Sequence, residues 1–278
     1  MKIIAFKIEK TINIPFQTQA ATLDEMTREL PDGFYTTFST IFHGTKVLGL
    51  HKHLERLYVP AAAQRINPAV DALTLRTRIA EFAKINLPSE SRIRLILTKN
   101  DGTLYVGVQP FQSLANEIYN SGVKVITSEL TRESPRVKDT GFISSSIEQR
   151  KQLSEDVFEI LLVKNGKILE GMTSNFFAIK GKTLVTAQSG ILLGVTRRVI
   201  LRLARGQGMS VDYRAPNIAP REKFDEAFLS SSSRGIVPIV SIDNGPVGQG
   251  RPGKWTRLLS KEYQVYVEEK GEKIIESL

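Results

Sequence analysis

Lys138, in R-V-K-D-T-G-F, and Glu170, 32 residues later in K-I-L-E-G-M-T-S-N-F-F, are the side chains of this 278-residue chain best placed for chemistry. A lysine amine must lose its proton before it can attack an aldehyde, so a reactive one needs a desolvated or electrostatically assisted position. A carboxylate at a strand end, followed by a glycine-led turn, can hold a protonated ring nitrogen. Downstream, Thr186 and the run G-I-L-L-G-V-T-R (190–197) lead into a helix whose first turn offers unpaired amides and the Thr196 hydroxyl. Such a helix start is an anion site, because free N–H groups and the positive end of the dipole face whatever docks there. An amine, a carboxylate and a phosphate-sized anion site together suit a cofactor bearing an aldehyde, a ring nitrogen and a phosphate.

The elements that must position these groups can be read from periodicity. Residues 34–42 (FYTTFSTIF) alternate as a strand, with Phe34, Phe38 and Phe42 on one face; His43-Gly44-Thr45 turns the chain and KVLGL returns as a short strand. A helix follows over 51–64, broken near Pro60, and a second covers 71–86. RIRLILT and TLYVGVQ flank the Asn100-Asp101-Gly102 turn as a hairpin. The pattern becomes irregular after residue 110. The expected organisation is therefore a small N-terminal α/β domain (1–112), a linker (113–121) and a larger C-terminal, cofactor-binding domain (122–278). In the latter, GVKVITS, VFEILLV, KILEG, NFFAI, TLVTA, FDEAFLSS and IVPIVSI read as strands. Helices are expected near 143–154, over TRRVILRLARGQG with its C-terminal glycine, and over 253–269. There is no internal repeat, and the Ser230–Ser233 run is the sole low-complexity stretch.

Composition narrows the classes. Hydrophobic content of 41% with 24% charged residues fits an ordinary soluble globular protein, and the element pattern above reads as α/β (α+β). No apolar run approaches the ~20 residues that span a bilayer, and charges interrupt MKIIAFKIEK where a secretion signal needs an apolar stretch. Without cysteine there are no disulfides, thiolate metal sites or cysteine nucleophiles, which suits a cytoplasmic protein. The net charge of +9 attracts anions in general. Its densest cluster (Arg197, Arg198, Arg202, Arg205) lies on an amphipathic helix and no nucleic-acid motif accompanies it, so specific nucleic-acid binding is not expected. The histidines (His43, His51, His53) do not share a helix face, so no metal site is expected.

The segment from Glu170 to Arg197, with Lys138 upstream, resembles the signature of the class IV (fold-type IV) pyridoxal 5'-phosphate enzymes: branched-chain aminotransferases, D-amino acid aminotransferases and aminodeoxychorismate lyases. The resemblance covers about residues 33–265 and is strongest from 138 to 240. It implies two α/β domains with the cofactor in the cleft between them, and a homodimer in which a partner loop completes each site. Lys138 then matches the Schiff-base lysine and general acid–base, and Glu170 the partner of the pyridine nitrogen. Asn175 matches the usual asparagine of the signature. The phosphate falls to the Val195 and Thr196 amides, the Thr196 hydroxyl, Ser231, Ser232 and Arg56 of H-x-x-R-L, where an arginine fork suits phosphate oxygens. Tyr35, Thr36 and Ser233 match substrate-side positions, and W255-T-R-L a packing helix.

The implied activity is amino transfer between an amino acid, with a branched-chain L-amino acid favoured, and a 2-oxo acid. Departures keep other members of the family open. Thr36 stands where many aminotransferases have glutamate, and Y-T-T resembles the F-T-T of aminodeoxychorismate lyases, which release pyruvate and form 4-aminobenzoate. Phe142 and Ile143 replace the asparagine–tyrosine pair whose phenol contacts the ring hydroxyl. The arginine and histidine that hold the substrate carboxylate in D-amino acid aminotransferases are absent between Asn100 and Val108. A non-catalytic relative that kept the fold is the remaining alternative.

Overall fold

The computed structural model describes residues 3–218 and 224–275. In chain order the first elements are strands β1 (Ile4–Ile8) and β2 (Asn13–Phe16), helix α1 (Leu23–Arg28), β3 (Gly33–Ile41), β4 (Lys46–Val47), α2 (Leu50–Ala63) and α3 (Ala72–Ala83). They are followed by β5 (Ser91–Thr98), β6 (Leu104–Pro110), α4 (Asn116–Ser121), β7 (Val123–Ser128), α5 (Gly141–Ser145) and α6 (Ile147–Arg150). Next come β8 (Glu159–Lys164), β9 (Lys167–Gly171), β10 (Asn175–Lys180), β11 (Thr183–Val185), α7 (Val195–Gly206) and β12 (Ser210–Asp212). The chain finishes with β13 (Glu226–Ser231), β14 (Gly235–Ile242), β15 (Gly245–Pro246), α8 (Lys254–Lys270) and β16 (Glu272–Lys273).

These elements form two compact units whose boundaries differ from the sequence expectation. The first takes residues up to 112, residues 137–145 and the described residues from 270 onward; the second takes 113–136 and 146–269. Main-chain pairing explains both additions to the first unit. Phe34 bridges Asp139, the Tyr35 amide donates to the Lys138 carbonyl and the Thr140 amide to the Gly33 carbonyl. At the other end β16 pairs with β4. The expected linker contains α4, and its Leu114, Ile118 and Tyr119 pack on the core of the second unit.

The first unit is a seven-stranded sheet in the order β16-β4-β3-β5-β6-β1-β2, antiparallel throughout. Strand alternation sends Phe34 and Phe38 of β3 into a core with Leu54 and Leu57 of α2 and Ile79 and Phe82 of α3, while Tyr35 joins a second cluster with Met26 and Ile96. Phe34 and Phe38 each contribute about 2 kcal/mol by burial. Phe42 is not part of that face: β3 ends at Ile41, and Phe42 sits 37% exposed in the turn at φ 52°. The return strand is two residues long, because Gly49 at φ 64° starts α2 early. Helix α2 also runs through Pro60: the proline lies in the final turn, which closes when the Gln64 amide donates to the Pro60 and Ala61 carbonyls.

The second unit is a nine-stranded sheet in which β10-β13-β14-β7-β8-β9 form a ring, since β9 also pairs with β10. One register pair closes that ring, Glu170 opposite Asn175. Its core gathers Val125, Leu161, Phe176, Leu229 and Val237. The helix expected over 143–154 divides into α5 and α6 around Ser146. Among the described residues no helix is long and apolar enough to cross a membrane, and no group of three His, Cys, Asp or Glu side chains converges.

Candidate active site

The first unit fixes Lys138 through main chain. Its carbonyl accepts from Tyr35, its neighbour Asp139 pairs with Lys99, and its Nζ lies 4.6 Å from the centroid of the Tyr35 ring. Gly33, which anchors this junction, has no room for a side chain: a Cβ would lie 2.5 Å from the Leu97 carbonyl oxygen. Beside Tyr35, Thr36 is buried and its Oγ1 is 2.7 Å from Nδ1 of His53 on α2. Burial, then the nearby charges of Arg56 and Lys138, hold His53 well below the usual histidine range, so the ring is neutral at physiological pH. Its Nε2 is buried without a hydrogen-bond partner. The Thr36 hydroxyl and the charges of Arg56 and Lys138 thus act on a histidine that the sequence pattern did not single out, while Tyr35 lies against the Lys138 amine.

The second unit builds a cluster around Glu170, 2% exposed. Arg132 Nε donates to Oε1 at 2.8 Å, while the Leu192 amide and Asn175 Nδ2 donate to Oε2 at 3.0 and 3.2 Å. Arg132 also donates to the Met172 carbonyl at 2.7 Å, so the guanidinium is fixed and nearly as buried as its partner. Asn175 then carries the arrangement to the start of α7. Its Nδ2 donates to the Leu192 carbonyl at 2.7 Å and its Oδ1 accepts from the Gly194 amide at 3.2 Å.

Gly194 is the N-cap of α7 and supplies no capping side chain, leaving the Val195 and Thr196 amides to seek an acceptor outside the helix. A Cβ at Gly194 would fall 2.2 Å from Asn175 Oδ1, so glycine is required there. Ser230 lies opposite Asn175 on β13 and therefore on the same face; its Oγ is buried with no partner. Thr196 is buried, and its hydroxyl lies 3.4 Å from that of Tyr263 on α8, a phenol that burial pushes up to about 12. Helix α8, expected to serve packing alone, therefore reaches the anion-binding turn. Arg197, next along, is turned inward onto the Ala187 carbonyl and Gln188, and burial lowers its pKa.

Ser231, Ser232 and Ser233 sit half-buried at the end of β13 and in the turn to β14. Ser231 accepts from Arg234 Nε at 3.2 Å. Sequence reasoning missed Arg132, His53, Ser230, Arg234 and Tyr263. Arg132 lies in a loop without a periodic pattern, Ser230 and Arg234 border the serines that were named, Tyr263 lies on a helix expected to serve packing, and His53 stands in the H-x-x-R-L element where only the arginine drew notice.

Each unit therefore has a distinct capability. The first presents an amine beside a neutral, desolvated wall. The second presents a fixed carboxylate linked through one asparagine to a helix start with unserved donors. The family model for class IV amino-transferases matches residues 33–242. A D-alanine aminotransferase of Bacillus licheniformis is 26% identical over 86% of this chain and 88% of its own length. A probable branched-chain-amino-acid aminotransferase of Thermotoga maritima is 28% identical with the same coverage. In fold, a putative branched-chain amino acid aminotransferase of Thermotoga maritima aligns with a TM-score of 0.80 at 24% identity, covering 96% of both chains. The branched-chain amino acid aminotransferase of Thermobaculum terrenum, in its holo form, aligns at 0.77 and 19% identity over 96% of this chain and 94% of that one. On a match that spans both the Lys138 and the Glu170 segments, the chain belongs to the class IV aminotransferases.

Proposed function

We propose that this enzyme transfers the amino group of a branched-chain L-amino acid to a 2-oxo acid, using pyridoxal 5'-phosphate. The observation that carries the reading is the buried Glu170 carboxylate, held on both oxygens and joined through Asn175 to the start of α7. The residues fit the cofactor: the buried Ser230 hydroxyl has no hydrogen-bond partner, no side chain caps the start of α7, and a Cβ at Gly194 would crowd that turn. When bound, the cofactor supplies an aldehyde carbon and a ring that accepts the electron pair released at the substrate α-carbon.

The chain's own residues do the rest. Lys138 would hold the cofactor through its aldehyde and would serve as the acid–base group that moves a proton at the substrate α-carbon. Glu170 keeps a proton on the ring nitrogen, with Asn175 orienting the carboxylate. The Val195 and Thr196 amides, the Thr196 hydroxyl, Ser231, Ser232 and Arg56 hold the phosphate. Of the substrate-side candidates, Tyr35 lies beside the Lys138 amine, Thr36 acts through His53, and Ser233 lies in the serine turn. The enzyme works as a soluble cytoplasmic homodimer.

The branched-chain preference is supported by the lack of arginine and histidine between Asn100 and Val108 and by relatives of that name. A D-amino acid reading is favoured by the D-alanine aminotransferase relative. The test is an absorbance titration of the cofactor-loaded enzyme with L-leucine, D-alanine, L-glutamate and aminodeoxychorismate in parallel. Conversion to the pyridoxamine form by L-leucine bears out the proposal. Conversion by D-alanine alone replaces it with the D-reading, and 4-aminobenzoate from aminodeoxychorismate, without conversion by any amino acid, replaces it with the lyase. A borohydride-reducible lysine other than Lys138 would sink the site assignment.

A further inference from the structure

Arg234 ties together two turns that hold proposed cofactor residues. It belongs to the β13–β14 turn that carries Ser231 to Ser233, and its Nη2 donates to Thr173 Oγ1 at 2.5 Å and to Glu159 Oε2 at 3.2 Å. Glu159, 1% exposed at the start of β8, also accepts from the Thr173 hydroxyl at 2.5 Å, the Thr173 amide at 3.3 Å and the Ser174 hydroxyl at 3.2 Å. Thr173 and Ser174 form the turn that directly follows Glu170 and Gly171. The Arg234 guanidinium lies 5.2 Å from the centroid of the Phe158 ring, and the Arg234 carbonyl accepts from Tyr119. This arginine is therefore held from three sides.

The hydrogen bond from Arg234 Nε to Ser231 Oγ has a directional effect. A serine hydroxyl has one proton and two lone pairs, and its proton rotates to suit its surroundings. With one lone pair occupied by a fixed N–H, the Ser231 proton is turned away from the guanidinium and becomes a donor. A guanidinium can do this while bonding a carboxylate because its donors form a rigid fork.

We propose that Arg234 is a positioning residue for cofactor binding. Braced on buried Glu159, it orients the Ser231 hydroxyl as a donor to the cofactor phosphate and fixes the serine turn to the turn that follows Glu170. The inference rests on the pyridoxal phosphate reading above and adds to it a residue that never touches the cofactor.

The experiment titrates cofactor-free protein with pyridoxal 5'-phosphate and, separately, with pyridoxal, which lacks the phosphate. Arg234→Lys keeps a cation for Glu159 but has no Nε to reach Ser231. It should retain the wild-type melting temperature yet bind pyridoxal phosphate about tenfold more weakly, as expected for one charge-assisted donor. Pyridoxal affinity should stay within about twofold, since that bond serves the phosphate alone. Ser231→Ala should reproduce the loss, and adding Arg234→Lys to it should cost nothing further.

Equal weakening toward both ligands, or additive losses in the double variant, would overturn the proposal in favour of a general structural role. Unchanged phosphate affinity in Arg234→Lys would overturn it outright. Wild-type protein that binds neither ligand would overturn the cofactor reading itself, and so separates the two failures.

Discussion

Replacing Arg132 with glutamine should destabilise the cofactor-free protein far more than the loaded one. The Arg132 and Glu170 side chains are 6% and 2% exposed and 2.8 Å apart. Removing one member of such a buried pair costs about 3–5 kcal/mol, because the remaining charge keeps its desolvation penalty. The Met172 carbonyl also loses a donor, while Glu170 retains those of Leu192 and Asn175. Taking about 4 kcal/mol, and roughly 2–4 °C per kcal/mol for a chain of this size, the melting temperature should fall on the order of 10 °C. On the proposed assignment, the protonated ring nitrogen would give Glu170 a second cation in the loaded enzyme and part of that loss would be recovered. Should it restore about 2 kcal/mol, the thermodynamic cycle requires pyridoxal phosphate to bind roughly 30-fold more tightly to the variant than to wild type. Thermal melts with and without cofactor, together with an affinity titration, measure both sides of the cycle. Arg132→Lys, which keeps a cation, should show little of either effect. An equal drop in the two forms, or weaker cofactor binding, would refute the idea that Glu170 exchanges counter-charges between Arg132 and the ring.

Three other outcomes are expected. His53 lies below its ordinary value of 6.5. The unfolded chain therefore takes up a proton that the folded one does not as pH falls past that point. The contribution is complete above about pH 6.5 and is lost at up to about 1.4 kcal/mol per unit as pH falls, so His53→Gln should flatten the denaturation midpoint between about pH 7 and 5. Gly194→Ala places a methyl 2.2 Å from Asn175 Oδ1 and should cost about 1–3 kcal/mol in a urea melt while weakening phosphate-dependent cofactor binding. Tyr263→Phe removes a phenol from behind Thr196 and should cost about 1 kcal/mol or less, visible as a small loss of pyridoxal phosphate affinity with pyridoxal affinity unchanged.

The two-layer alternation of β3, the Asn100-Asp101-Gly102 hairpin and the amphipathic α7 were legible because each is a local pattern with its own period. Lys138, Glu170 and the helix start were singled out by the resemblance, which joins them across intervening loops. Arg132 was not, since an arginine in a loop is indistinguishable from a solvated charge until the chain brings a carboxylate to it. The reassignment of 137–145 has the same origin: its bonds to Gly33 and Tyr35 run between residues over 100 positions apart, and no local pattern encodes such a pairing. Ser230 and Ser231 look equivalent in the serine run. Register separates them, since the pairing with Asn175 gives Ser230 the face of the carboxylate and sends Ser231 toward Arg234.

The ring of strands in the second unit closes through a single pair, Glu170 opposite Asn175. At that seam the main-chain ladder gives out, and side chains take over: Arg132 serves the Met172 carbonyl, and Asn175 serves Leu192 and Gly194. The groups proposed to hold the ring nitrogen are thus also the fasteners of the barrel. Substituting Glu170 or Asn175 should therefore loosen the closure of the strands as well as cofactor binding. Lys138 is different. The bond that ties it into its sheet is made by its carbonyl, which any residue could supply, while its amine lies over the Tyr35 ring.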